Sequence, residues 1–466
     1  MKFLIIEMGG MIAGARPKWV KAYSALIKFL EKKDPERKFR FSGRDRDKFE
    51  KLRENFRNSF IYSEIGKELT KTRIWINRLK TIVSNTEREL GLNATVYSKE
   101  LKSFIEDPFL HLKKKIFFYT YDLLRGKITL EEFKYTAAAA IKTSLRTNMR
   151  SIYQCWVYTS ILYELAQLGA RMIYPEHKVL TFERSGKQKL GTIPPSCILH
   201  LEEKGSISFF LEAPRPLGWE GDSDLRRVWA LYTTMRPDIL VYGGRVLNIA
   251  DLGRRPPILQ PDVIIECKEL KEWWRRIRDM RGHLAKPLTA EEWRSIWIEG
   301  LWDGLADVLG VKRKGKEEHT RAKRTLRLRD IQVVTLYRAL FKPKRMFLVS
   351  RTRVPRSVKQ YLEDRQIEVI DAVGFKSSAL RPLVLHLVDL AKRSSDTELL
   401  EIKQSYLDLL NKLTVRLRDR GITLNRDDIV GYSLLLTLRK FEDFIRMIKE
   451  IESCENLSSR ARSRFL

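Results

Sequence analysis

The hydrophobic period of the chain changes at Gly169. Upstream of it, from Lys18, apolar residues recur at spacings of three and four, as in Trp19, Tyr23, Leu26, Ile27 and Leu30, the stripe of an amphipathic helix. Gly126 stops one helix, and Thr129-x-x-Glu132 reads as a capping box that opens the next through the alanine run 137–140. That pattern passes Arg150, continues through Trp156, Ile161, Leu165 and Leu168, and ends at Gly169, a residue suited to the left-handed C′ position.

Beyond Gly169 the spacing predicts strands over 179–183, 198–202 and 207–212, the last two joined across Lys204-Gly205. Segments 238–242 and 246–250 flank Gly243-Gly244 as a further hairpin, and 263–268 is another strand. A helical stretch over 293–309, a basic linker over 312–329 and a helix reaching about 340 follow. Strands at 346–350 and 367–370 enclose a helix at 354–364, a βαβ-like unit, and from Leu380 the pattern is helical again. The expected architecture is a helical N-terminal region (1–150), an α/β core with a mixed sheet (151–375) and a helical C-terminal region (376–466).

Charge narrows the partner. Lysine and arginine number 89 against 59 acidic residues, a net charge of +30 over 466 residues, while 43% of the chain is hydrophobic. This is the balance of a folded basic protein and not of a disordered tail. The charge runs through the chain instead of collecting on one amphipathic segment, so nucleic acid outranks a membrane surface as the polyanion. No apolar run reaches the roughly 18–20 residues that span a bilayer. Near the start, Glu7 and Gly9-Gly10 interrupt a short apolar stretch that otherwise imitates a signal peptide, so 2–7 reads as a strand or helix edge. Cys155, Cys197, Cys267 and Cys454 are isolated, which supports neither a zinc site nor a disulfide framework and fits a reducing cytoplasm. The histidines are likewise scattered.

The chemistry concentrates in Arg236-Pro237-Asp238-Ile239-Leu240-Val241 and, 28 residues after Asp238, Ile264-Ile265-Glu266-Cys267-Lys268. On a strand, Glu266 and Lys268 leave the same face about 7 Å apart, with Ile265 and Cys267 on the other. An acid and a base raised from an apolar strand are costly to bury without a partner or a task. If Asp238 on a neighbouring strand faces the same spot, two hard oxygen ligands converge beside an ammonium, as magnesium-assisted attack on a phosphodiester requires. A second Pro-Asp, Pro261-Asp262, competes for the first carboxylate, but Asp262 lies about 13 Å from Glu266 along one strand. Glu212 is a lesser candidate.

These residues resemble the PD-(D/E)xK nuclease superfamily, with Pro237-Asp238 as one half-motif and Glu266-Cys267-Lys268 as the other. The resemblance covers roughly 151–375 and implies a restriction-endonuclease-like core. It implies that Asp238 and Glu266 bind Mg²⁺ or Mn²⁺, that the Cys267 carbonyl is a further ligand, and that Lys268 orients or activates the attacking water. In that family a helix bearing a glutamate often precedes the strands, and Glu164 stands in the corresponding helix. Some exonuclease members carry a glutamine and a tyrosine on the helix after the motif strand; Gln332 and Tyr337 are similar, spaced one residue wider.

For binding, Arg275, Arg276 and Arg278 follow the motif strand beside Trp273 and Trp274, and Lys312, Arg313, Lys314, Arg321, Lys323 and Arg324 populate the basic linker. Arginines neutralise phosphates and tryptophans stack on unpaired bases. Trp293 and Trp297, at i and i+4, read instead as core. The expected function is metal-dependent cleavage of nucleic acid, DNA by the resemblance. The rivals are a binding scaffold without activity and a subunit of a larger nucleoprotein assembly. The helical flanks are the candidates for a homodimer contact or a protein partner.

Overall fold

The structure is a computed structural model that describes residues 17–183, 192–214, 229, 232–251, 257–279, 327–393 and 404–422, with 424, 429–433, 436, 440, 442–443 and 446. Its N-terminal helices are α1 (Lys18–Lys33), α2 (Gly43–Leu90), α3 (Lys99–Glu106), α4 (Pro108–Lys115), α5 (Phe117–Leu124) and α6 (Leu130–Gln167), with a short strand β1 (Ala94–Val96) after α2. The capping box forms as its sequence predicts. The Glu132 N–H donates to Thr129 Oγ1 at 3.2 Å, and the Thr129 N–H donates to Glu132 Oε2 at 2.7 Å.

After α6 come β2 (Arg171–Tyr174), β3 (Val179–Thr181), β4 (Cys197–Leu201), β5 (Gly205–Leu211), β6 (Ile239–Gly243) and β7 (Val263–Lys268). A ribbon pairs β8 (Ile277–Asp279) with β9 (Arg327–Arg329). The remaining elements are α7 (Asp330–Phe341), β10 (Arg345–Ser350), α8 (Arg356–Glu363), β11 (Ile367–Ile370), α9 (Arg381–Arg393) and α10 (Gln404–Asp419).

The result is a mixed α/β fold around a seven-stranded sheet of order β11-β10-β7-β6-β5-β4-β2. Neighbours from β2 to β7 run antiparallel, whereas β10 lies parallel to β7 and β11 parallel to β10. β7 is therefore the strand at which the sheet changes from antiparallel to parallel. One face packs on α6, α2 and α9 through residues such as Val241, Ile265, Phe133, Tyr158 and Leu387. The other packs on α7 and α8 through Leu240, Ile264, Leu348, Val334 and Leu362. A strand covered on both faces reads as a continuous apolar run, which explains Val263-Ile264-Ile265. Burying each of these contributes about 2 kcal/mol, enough together to offset part of the cost of burying Glu266 and Lys268 on the same strand.

Several expectations need correction. The division at 150/151 falls inside α6, and one apolar cluster runs from Trp19 to Ala391, so the helical flanks share the core of the sheet. Residues 246–250 form only an isolated bridge from Ala250 to Ile258 and not a strand. The strand near 179–183 leaves the main sheet and pairs with β1. β2, with one of its four residues buried, has too weak an alternation to read from sequence. The expected strand or helix edge at 2–7, the helix at 293–309 with its tryptophans, and most of the basic linker lie outside the described residues.

Candidate active site

Register brings the two half-motifs together. Ile239 stands opposite Ile265 in the β6–β7 ladder, so the next antiparallel pair is Asp238 opposite Glu266. The Asp238 N–H donates to Glu266 Oε2 at 3.2 Å, and the Cys267 N–H donates to Asp238 Oδ2 at 2.8 Å. Each carboxylate is thus fixed to the other's strand. Lys268 Nζ donates to Glu266 Oε1 at 2.7 Å and lies 5.6 Å from the centroid of the Trp273 ring. Asp238, Glu266 and Lys268 are 2%, 0% and 2% exposed, so this acid, acid and base are all buried.

Helix α6 supplies what the strands lack. Gln154 Nε2 donates to Asp238 Oδ1 at 2.9 Å, and Arg150 Nη2 approaches the same oxygen at 3.5 Å. Gln154 is buried, while the Arg150 side chain keeps 32% of its surface exposed. Burial, and then the neighbouring Glu266 carboxylate, pushes the Asp238 carboxyl up to about 6, against the pull of Arg150, Lys268 and the Cys267 N–H. Burial alone would lower the Arg150 guanidinium, yet Asp238 and Glu266 overcome it and hold that group raised. Burial and the same two carboxylates keep the Cys267 thiol neutral. Its sulfur belongs to the apolar cluster with Val263 and Ile265, so only its main chain serves the site.

The donor set can be judged by its chemistry. Among the described residues no group of three or more histidine, cysteine, aspartate and glutamate side chains is arranged to hold an ion. Two carboxylates and a main-chain carbonyl are hard oxygen donors, and magnesium binds through one or two carboxylates while keeping several waters. By donor type the two carboxylates suit Mg²⁺ or Mn²⁺ and not a metal that needs a full protein cage.

Other predicted residues fall elsewhere. Glu164 lies ten residues beyond Gln154 on α6, about 15 Å along the axis, so the structure does not bring it to Asp238. Gln332 accepts the Arg329 N–H at 2.8 Å and caps α7. Tyr337 is buried near enough to Arg150 to act on its charge, and so belongs to the surroundings of the site. Asp262 accepts the Gly243 N–H at 2.8 Å and pairs with Lys344 at 2.6 Å, at the opposite end of β7. The Glu212 N–H donates to the Asp238 carbonyl at 2.9 Å, so the end of β5 adjoins the site.

Arg275 is exposed and pairs with Glu272 at 3.4 Å, the Arg276 carbonyl accepts the Asp330 N–H at 2.8 Å, and Arg278 stands opposite Leu328 in the ribbon. Lys312, Arg313, Lys314, Arg321, Lys323 and Arg324 lie outside the described residues. Sequence reasoning missed Arg150 and Gln154. A signal existed for one: Gln154 is an amide inside the apolar stretch from Ile152 to Leu162, where an unpaired side chain would be costly. No protein-family model, curated protein or solved structure matches the chain. Among the described residues, no helix is long and apolar enough to cross a membrane.

Proposed function

We propose that the chain is a nuclease with a restriction-endonuclease-like core of the PD-(D/E)xK kind, hydrolysing phosphodiester bonds in nucleic acid, with DNA as the substrate. The observation that carries this reading is the burial of Asp238, Glu266 and Lys268 at one end of β6 and β7, each held by a named hydrogen bond. Buried charge of this density is expensive and clusters where chemistry is done.

Asp238, Glu266 and the Cys267 carbonyl would hold Mg²⁺ or Mn²⁺, which when bound polarises the phosphate and makes a water more acidic. Gln154 and the Cys267 N–H keep Asp238 in place throughout. Lys268 turns its ammonium from Glu266 to the attacking water and orients it toward phosphorus. The water oxygen bonds to phosphorus and loses its proton to surrounding solvent as the bond to the leaving sugar oxygen breaks, and that oxygen takes up a proton from solvent. Arg150, the half-buried cation beside Asp238, contacts a non-bridging phosphate oxygen.

A second reading has one observation in its favour. Arg150 pairs with Asp238 and Lys268 with Glu266, so each carboxylate has a counter-charge without an ion. That suits a nucleic-acid-binding scaffold or a subunit of a nucleoprotein assembly. A screen of linear, circular, branched and single-stranded substrates with Mg²⁺ and Mn²⁺ separates the two. Metal-dependent cleavage lost in Asp238→Asn supports the nuclease, and binding without cleavage supports the scaffold.

A further inference from the structure

We infer that Arg351 and Lys71, seated together on Trp75, form a second phosphate-binding position that receives the sugar-phosphate backbone beside the cleaved bond. The inference rests on the nuclease reading for its ligand but on different residues for its site. Ser350 stands opposite Lys268 in the β7–β10 ladder, and the Arg351 N–H donates to the Lys268 carbonyl at 2.9 Å. Arg351 therefore follows the end of β10, one residue past the partner of catalytic Lys268, and its side chain leaves the other face of the sheet, toward α2. Its Nε donates to the Glu269 carbonyl at 2.7 Å, and its guanidinium lies 4.8 Å from the centroid of Trp75. The group is held at one nitrogen and on one face.

Lys71 comes to the same ring from α2, with Nζ 5.1 Å from its centroid. Two cations over one indole lie within about 10 Å of each other and repel. Among the described residues, neither Lys71 nor the terminal nitrogens of Arg351 has a hydrogen-bond or ion-pair partner. Burial and the nearby Arg351 charge lower the Lys71 ammonium, against the pull of Glu68 one turn away on α2. Exposed Lys67 and Arg78 lie on the same stripe of α2, at i−4 and i+7 from Lys71, and extend the positive surface away from the site.

An anion between Lys71 and Arg351 would relieve the repulsion. A phosphodiester suits it, because the free guanidinium edge offers paired donors and Lys71 a point charge. The Trp75 ring lies 6.3 Å from that of Tyr153, the neighbour of Gln154 on α6, so a strand whose scissile phosphate lies at Asp238 and Glu266 would reach this position past the turn of α6 that holds Asp238. The geometry calls for no particular base.

The test compares wild type, Lys71→Gln, Lys71→Glu and Arg351→Gln by anisotropy of a labelled oligonucleotide over a salt series, with thermal melts of each. Each neutralisation should weaken binding roughly tenfold for all sequences alike and lower the slope of log affinity against log salt by about 1. The two neutralisations combined should lose less than the product of the single effects, because they share one phosphate. Lys71→Glu should bind more weakly than Lys71→Gln yet melt no lower than wild type, since it gives Arg351 a counter-charge. A merely structural role would move melting and binding together.

Unchanged affinity and salt slope in all the variants, with wild type still cleaving, overturns this position and leaves the nuclease reading intact. Weakened binding in variants of a wild type that never cleaves supports the position and overturns the nuclease. Absence of binding by wild type overturns both.

Discussion

Glu266 accepts the backbone N–H of Asp238 at 3.2 Å, while the Asp238 carboxylate accepts an N–H from the residue after Glu266. The two acids are clasped reciprocally across β6 and β7. A shift of either strand by one residue would turn its carboxylate to the other face and break both bonds, so sheet register and site geometry are one property.

The first expectation concerns the ion pair beneath the site. Lys268 and Glu266 are both buried and 2.7 Å apart, so Glu266→Gln leaves an ammonium without its charge partner. That should cost about 3–5 kcal/mol, whereas Glu266→Gln combined with Lys268→Met should recover much of the loss. Denaturant melts of the two single variants and the double variant measure the coupling. Independent, additive effects would mean that the pair is not closed in solution.

The second concerns pH. The Asp238 carboxyl sits at about 6 in the fold, above the ordinary aspartate value near 3.9. The native state therefore holds this proton more tightly than the unfolded chain does. In the metal-free protein this group favours folding increasingly as pH falls from about 6 toward 4, and that contribution is lost as pH rises through 6. A divalent ion needs the deprotonated form, so its stabilisation of the fold should grow from pH 5 to 7, with proton release on binding near pH 6. Mn²⁺ titrations in buffers of different ionisation enthalpy read that release. Binding independent of pH across this range would contradict the assignment of Asp238 as a ligand.

The third separates the two α6 residues. Gln154→Ala removes the 2.9 Å bond that orients Asp238 and should lower cleavage by about 10–100-fold, with nucleic-acid affinity nearly unchanged. Arg150→Ala removes a cation facing the ion position. It should tighten Mn²⁺ binding while slowing cleavage, a split that metal titration and single-turnover kinetics resolve. Loss of both affinities together would point to general unfolding.

The fourth concerns the ribbon. Arg327 and Arg329 on β9 and Arg275 just before β8 are exposed. Neutralising all three should weaken binding to every sequence alike and flatten its salt dependence, as competition binding at several salt concentrations would show. An unchanged slope would make them ordinary solvated surface.

Local signals were readable in the sequence. The capping box at Thr129, the hairpin at Lys204-Gly205 and the strands carrying Asp238, Glu266 and Lys268 follow from period and turn chemistry over a few residues. The Glu164 expectation failed on distance along a helix. The segment had the right type, but which of its turns meets the strands is set by packing and not by its own pattern. Arg150 and Gln154 stand 88 and 84 residues before Asp238, and no local rule joins them to it. The division at 150/151 misled for a related reason: the pattern runs unbroken through Arg150, and the core it buries belongs to the sheet as much as to the N-terminal helices.

The most direct test of the account is Mg²⁺-dependent cleavage of end-labelled DNA by the purified full chain, run beside Asp238→Asn, Glu266→Gln and Lys268→Ala. The account predicts cleavage by wild type that chelation abolishes, and a loss of at least about 100-fold in each variant, with DNA still bound because affinity rests on dispersed basic contacts. Equal cleavage by wild type and by the folded variants would contradict it and place the activity elsewhere.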